Sequence, residues 1–141
     1  MNCRAAASLV VALVLAACDE VSSSYDTLDA AREGGVFERG WLPDLLPKSA
    51  HSIHVSNDVN LNTSQGEFEF SPVDFEVLES SLRGSVPDTA PFSDWQSFVS
   101  KRREEGNVAL AYSKHGTVWV FVCNVPAGRC LYRAWQQSGA A

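Results

Sequence analysis

The chain has 141 residues with 11 basic and 17 acidic side chains, a formal net charge of −6, and 45% apolar residues. This acidic balance argues against a protein that binds nucleic acid through a basic surface. The high apolar content is typical of a folded globular protein and argues against an intrinsically disordered one. Arg4 and the apolar run at 5–15, which is too short to span a bilayer, predict a signal peptide over residues 1–17. Its removal would leave 124 residues, enough for one domain, with a net charge of −7.

The residues that follow the apolar run predict a lipid anchor. Leu15-Ala16-Ala17-Cys18 resembles the lipobox of bacterial lipoproteins, in which the cysteine thiol receives a diacylglycerol and becomes the first residue of the mature protein. The resemblance implies lipidation of Cys18 and a membrane-anchored protein of the bacterial cell envelope that faces the periplasm. Asp19 resembles the inner-membrane retention signal of enteric bacteria, which slightly favours the inner membrane. The alternative is an ordinary secretory signal with an incidental Cys18.

Two further cysteines in the mature chain predict a disulfide. Cys123 and Cys130 flank the turn-forming sequence Asn-Val-Pro-Ala-Gly-Arg, so a hairpin would bring them together. A compartment outside the cytoplasm favours the bridge, which would contribute about 2–3 kcal/mol by closing the loop. A redox or metal role would call for Cys-x-x-Cys spacing or a histidine companion, and neither is present in the sequence. We therefore expect no cofactor and no metal here.

The segment after Cys18 predicts a short tether followed by one globular domain. Residues 18–25 include three serines and are predicted to be the lipidated cysteine and a flexible tether. Residues 26–141 are predicted to form a single domain. Asp26 is predicted to cap a first helix that runs to about Phe37.

Hydrophobic alternation and capping signals predict the remaining elements. Strands are expected over 52–56, 67–70, 107–113, 117–123 and 130–135, and helices over 71–84 and 93–106. Val59 and Leu61 are expected to continue the first alternation. Val118 to Val122 is apolar on both faces, which predicts a strand with neighbours on both sides and cover on both faces. The predicted fold class is α+β, an antiparallel sheet of about five strands with two or three helices packed on one face.

Two polar patterns resemble metal sites, and both have a simpler interpretation. His51 and His54 would face opposite sides of the predicted strand, so they could not share an ion. The second pattern has the alternating oxygen ligands and closing glutamate of a calcium loop: Asp58, Asn60, Asn62 and Glu69. Thr63 stands where that loop needs glycine, and asparagine-rich turns between strands are common. The sequence leaves open whether these four residues bind an ion.

The segment around Trp41 is the candidate partner-binding site. Between and beside two prolines it carries four large apolar residues: Trp41, Leu42, Leu45 and Leu46. Exposed apolar patches often bind partners, but a loop pinned to the core by Trp41 is the favoured interpretation. The stretch Gly40-Trp41-Leu42-Pro43, with Leu46-Pro47 and the later Phe68-x-Phe70, resembles uncharacterised small bacterial lipoproteins over residues 37–70. That resemblance implies an envelope location and supplies no activity.

The sequence predicts a lipid-anchored bacterial envelope protein whose role is non-enzymatic binding or assembly. Its expected partners are the membrane, through the anchor, and an envelope protein, with no nucleic acid. No residue is predicted to be catalytic, because the mature chain has no Gly-x-Ser-x-Gly elbow, no His-Glu-x-x-His motif and no free thiol. Two alternatives stay open. One is an inhibitor or immunity lipoprotein whose acidic surface meets a basic lytic enzyme or toxin; the other is an envelope hydrolase with unassigned carboxylates.

Overall fold

The computed structural model describes residues 20–137, which form one six-stranded antiparallel sheet and three short α-helices. The strands are β1 (Glu20–Thr27), β2 (His51–Asp58), β3 (Thr63–Glu69), β4 (Val108–Lys114), β5 (Thr117–Asn124) and β6 (Arg129–Gln136). The helices are α1 (Leu28–Glu33), α2 (Phe75–Ser81) and α3 (Trp95–Glu104). The strand order is β1-β2-β3-β6-β5-β4, so β1 and β4 are the edges. The predicted signal peptide and Cys18 lie outside the described residues.

The prediction of a five-stranded sheet with helices packed on one face is wrong. The sheet has six strands, helix makes up only about 22% of the structure, and both faces of the sheet are covered. α1, α2 and the segment 34–50 pack on one face, whereas α3 packs on the other through Trp95 and Phe98. The reason is in β5, where Trp119 and Phe121 point to the first face and the alternating valines 118, 120 and 122 point to the second. A strand that is apolar on both sides needs cover on both.

The predicted flexible tether, given with Cys18 as residues 18–25, is a strand where the structure describes it, from Glu20 onward. These residues belong to β1, which pairs antiparallel with β2 from Glu20 opposite Asp58 to Thr27 opposite His51. Most β1 side chains are exposed, so this edge strand is held mainly by its main-chain pairing with β2. The chain is therefore fixed to the sheet from Glu20 onward.

The apolar stripes predicted for the second and third helices are confirmed. Their buried residues are Phe75, Leu78 and Leu82 on one face of the sheet, and Trp95, Phe98 and Val99 on the other. The first helix is shorter than predicted, because α1 ends at Glu33 and Gly35 then adopts a φ of +76°. A positive φ of that size is readily adopted by glycine and ends a right-handed helix.

The β2–β3 hairpin confirms most of the predicted alternation. Ile53, Val55 and Phe68 are buried on the first face of the sheet. Val59 and Leu61 do not continue the strand, because the Asp58 carboxylate accepts hydrogen bonds from the backbone N–H groups of residues 60 and 61, each at 3.0 Å. This side-chain-to-backbone bonding forms a turn. It leaves Val59 59% and Leu61 67% exposed.

The predicted Cys123–Cys130 disulfide is confirmed. The two residues lie directly opposite each other in the β5–β6 pair, with their Cα atoms 4.0 Å apart, and both are buried. The structure shows no free cysteine between residues 20 and 137.

None of the helices within residues 20–137 has the length and apolar character of a membrane span.

Candidate functional site

Two concave surfaces that could bind a partner lie at one end of the sheet. We call this the Glu20 end, because β1 begins there beside the last residue of β2. It also carries the turn at 59–62, the turn at 115–116 and the last residue of β6, Gln136. The opposite end carries the start of β2 and the end of β3.

The loop around Trp41 covers the first face of the sheet near this end. The indole Nε1 of Trp119 donates a hydrogen bond to the Trp41 carbonyl oxygen at 3.2 Å. The Trp41 N–H donates to the Val36 carbonyl at 3.2 Å, and the Arg39 guanidinium lies 4.9 Å from the centre of the Trp41 ring. The backbone of this loop is therefore held against the sheet, while Arg39 stays exposed.

The structure separates the four residues predicted to bind a partner. Leu42 and Leu46 are buried in the core of the first face. Trp41 and Leu45 are only half-buried, so these two offer surface to another molecule. Partner binding by this segment stays a prediction. Of the four predicted residues, only Trp41 and Leu45 have enough exposed surface to contact a partner.

An apolar groove of about 400 Å³ runs along the Leu45 side of this loop. Leu45 and Pro43 line it from the loop, and Tyr112 and Trp119, whose ring centres are 5.7 Å apart, line it from the sheet. Its lining also includes four ionisable residues: Glu38, Asp44, Lys114 and His115. An apolar floor with charges beside it resembles the anatomy of a protein-binding surface, with an apolar centre and a polar rim.

A second, polar pocket of about 150 Å³ lies beside the groove and shares Gly40 and Thr117 with it. Arg39, Gly40 and Trp41 line this pocket from the loop. The sheet contributes residues mainly from β2, β3 and β6 and the turn between the first two: Asn57, Asp58, Val59, Asn62, Thr63, Ser64, Ala134, Trp135 and Gln136. Its lining is mainly polar, so it suits a ligand group that forms hydrogen bonds.

Asn57 gives the polar pocket its chemistry. The residue is only 3% exposed, and neither its Nδ2 nor its Oδ1 atom has a hydrogen-bond partner among the described residues. An unpartnered buried amide lowers stability by about 1–3 kcal/mol. A ligand group with both a donor and an acceptor would satisfy both atoms of the carboxamide, which has two N–H donors and a carbonyl acceptor.

The nearest strand neighbour of Asn57 is already satisfied. Ser64 lies directly opposite Asn57 in the β2–β3 pair, and its hydroxyl is 2.9 Å from the Tyr132 hydroxyl. Burial raises the pKa of Tyr132, so its hydroxyl stays protonated and can donate to Ser64. The Ser64 and Tyr132 hydroxyls thus hydrogen-bond each other. The Asn57 carboxamide has no such partner among the described residues, and Asn57 lines the pocket.

The position of Asn57 in its strand is a signal that could have marked this residue from the sequence. Ile53 and Val55 define the buried side of β2, and continuing the same alternation by two residues reaches Asn57. A polar residue at a buried position of a strand is the informative exception in such a pattern.

The structure separates the residues that resemble a calcium loop. Asp58 pairs with Thr63 at the Glu20 end, whereas Glu69 pairs with His51 at the other end of the hairpin. Seven residues of β2 at about 3.3 Å each place the two carboxylates roughly 23 Å apart along the strand. Asp58 and Glu69 therefore cannot share an ion. Within residues 20–137, no three His, Cys, Asp or Glu side chains are grouped closely enough to hold a metal.

Replacing Asn57 with leucine is expected to raise the free energy of unfolding by about 1–3 kcal/mol, because it removes an unpaired buried amide at little change in volume. The measurement is the denaturant midpoint of the mature domain against the wild type. Ser64→Ala is the control, since it breaks a satisfied buried bond and should destabilise. A destabilised Asn57→Leu variant would show that the amide is satisfied in solution.

Residues 19–69 match the family model described as the YbbD head domain, a bacterial family, and the match suggests a bacterial envelope-related protein. The matched range covers just over a third of the chain and includes β1, α1, the Trp41 loop, β2 and β3. It therefore contains both Trp41 and Asn57. No curated protein and no solved structure shows significant similarity to the chain.

Proposed function

We propose that the chain is a lipid-anchored, non-enzymatic binding module of the bacterial envelope, facing the periplasm, with the inner membrane favoured by Asp19. The lipobox-like sequence ending at Cys18 supports the anchor. The similarity to the YbbD head domain begins at residue 19, directly after that cysteine, and supports an envelope role for the folded part.

The observation that carries the binding role is the unpartnered carboxamide of Asn57 in a pocket beside a half-buried tryptophan. A protein partner would place a polar group, such as a side-chain amide, against Asn57 and cover the Trp41 ring. The apolar groove beside this pocket would accept an apolar side chain of the same partner. Buried aromatic contacts next to satisfied polar groups are typical of the residues that dominate binding energy.

The test is a pull-down from cross-linked envelopes with the lipidated protein. The wild type is expected to capture one dominant envelope protein, and Trp41→Ala is expected to reduce its recovery at least about tenfold, as loss of a tryptophan hot spot does. Val73→Ala is the matched control, because Val73 is 85% exposed and lies outside both concave surfaces.

Asn57→Leu separates loss of binding from loss of folding. This variant should be at least as stable as the wild type and should still lose the partner, because leucine cannot hydrogen-bond the group that enters the pocket. Capture of the same partner by wild type, Trp41→Ala and Asn57→Leu would contradict the proposed site. Capture of no partner by any version would contradict the binding function itself.

A further inference from the structure

We infer that the turn at 59–62 seats the Glu20 end of the sheet on the lipid bilayer, with Val59 and Leu61 in contact with lipid. This inference rests on the proposed lipidation of Cys18. It adds a second membrane contact, made by the folded domain, to the contact made by the acyl chains. The anchor alone would hold the protein on the membrane without fixing which of its surfaces faces the lipid.

The large apolar side chains that remain exposed are not scattered evenly over the described residues. Three of them lie at the Glu20 end, on β1 and on the turn at 59–62: Val21, Val59 and Leu61, which are 42%, 59% and 67% exposed. Leu61 also lines a cleft with Pro91 and Phe92, whose remaining lining residues are polar. Such a cluster, as opposed to single exposed residues, indicates a contact surface.

The path of the chain brings this cluster to the proposed anchor. Glu20 is the first residue of β1 and lies opposite Asp58, the residue directly before Val59. Cys18 precedes Glu20 by two residues, so its Cα can lie at most about 7 Å from that of Glu20. Acyl chains on Cys18 would therefore enter the bilayer beside the turn.

The pairing of β1 makes the orientation specific. A flexible tether would let the domain rotate above the membrane, but β1 is paired with β2 along its length, starting at Glu20. Only Asp19 separates the proposed anchor from the sheet. The end of the sheet next to the anchor is thus held near the lipid, and its exposed valine and leucine gain contact with apolar groups there.

The carboxylates at this end do not prevent the contact. Glu20 accepts a hydrogen bond from the Ser56 hydroxyl, and Asp58 accepts two from backbone N–H groups of the turn. Arg39 and Lys114 lie at the same end and partly offset the negative charges of Glu20, Asp58 and Glu38. Because anionic lipids would still repel the acidic chain, zwitterionic phosphatidylcholine is the suitable test membrane.

The test compares two exposed valines at opposite ends of the sheet. Val59→Cys and Val73→Cys are each labelled with a nitrobenzoxadiazole fluorophore without reductant, which leaves the buried Cys123–Cys130 disulfide intact. The lipidated proteins are placed in phosphatidylcholine vesicles that contain lipids spin-labelled near the headgroup. Quenching is expected to be at least about threefold greater at residue 59 than at residue 73, because interfacial residues reach only 5–10 Å into the membrane.

Mass spectrometry of the same samples distinguishes the two ways in which the inference can fail. Equal quenching at residues 59 and 73 in protein that carries the acyl mass would overturn the seating and leave the anchor intact. Absence of the acyl mass on Cys18 would overturn the anchor and, with it, the seating. Both substitutions replace exposed side chains, so neither is expected to disturb folding.

Discussion

Gly66→Ala is expected to lower the free energy of unfolding by about 3 kcal/mol or more, although it adds only one methyl group. Gly66 lies in β3, between β2 and β6. A Cβ atom there would stand 2.9 Å from both the carbonyl carbon of His54 and the Cε1 atom of Tyr132, and closer still to the His54 carbonyl oxygen. Tyr132 is fully buried and the His54 atoms belong to the backbone, so neither neighbour can move aside without displacing a strand.

Gly106→Ala is the control for this substitution. Gly106 has a φ of +91°, but a Cβ atom there would meet nothing within 4 Å. Its replacement should therefore cost only the backbone strain of about 1–2 kcal/mol. Denaturant midpoints of the two variants, measured with unchanged slopes, give the comparison. A smaller loss for Gly66→Ala than for Gly106→Ala would show that β2 and β3 do not approach as closely as the structure has them.

The contact at Gly66 follows an irregularity that the sequence does not reveal. The register between β2 and β3 shifts between His51 and His54, and Ser52 adopts a φ of +48°. A serine with a positive φ is uncommon, and no local pattern marks it in advance. Bulges of this kind follow from how two strands meet, which sequence alternation within one strand does not describe.

The sequence predicts the elements whose side chains pack on the core and misses those held by the backbone. Phe75, Leu78 and Leu82 mark their helix because burial requires an apolar stripe with helical period. β1 has almost no such stripe: most of its side chains are exposed, and it is held mainly by main-chain pairing with β2. An edge strand of this kind has the composition of a tether, so composition alone assigns it wrongly.

The same limit explains what the sequence reveals of the candidate site. Trp41 stands out because a tryptophan directly before a proline-containing, irregular segment is unusual, whereas Asn57 is one of several asparagines near a turn. Its importance depends on burial and on the lack of a partner, and both are properties of the folded sheet. The separation of Asp58 from Glu69 likewise depends on the pairing of β2 with β3.

The proposed anchor, the apolar turn and the binding surface meet at one end of the molecule. The polar pocket shares Val59 and Asn62 with the turn at 59–62, and the apolar groove contains His115 from the neighbouring turn of the sheet. A domain seated through residues 59–62 would hold both concave surfaces close to the bilayer. The partner that fits this geometry is an envelope protein that presents its own contact surface near the membrane.

Cys18→Ser is expected to abolish retention of the mature protein in the membrane fraction. Two acyl chains of about fifteen CH₂ groups each contribute roughly 24 kcal/mol at ~0.8 kcal/mol per CH₂. Even complete burial of Val21, Val59 and Leu61 would contribute less than about 9 kcal/mol. Binding to a surface also has an unfavourable free energy of about 4–15 kcal/mol, because the protein loses translational and rotational freedom. The apolar turn can therefore orient the domain, but it cannot replace the anchor.

The measurement is the distribution of the protein between pelleted membranes and the soluble periplasmic fraction, with the mass of each form determined. A serine at position 18 could leave the signal peptide uncut, so a second version carries residues 20–141 behind an ordinary secretory signal. Both versions should lose the acyl mass, and the second should be almost entirely soluble, because its apolar turn is all that remains to bind lipid. Membrane retention of that second version at the wild-type level would show that the folded domain binds the membrane by itself, and the lipid anchor would lose its proposed role.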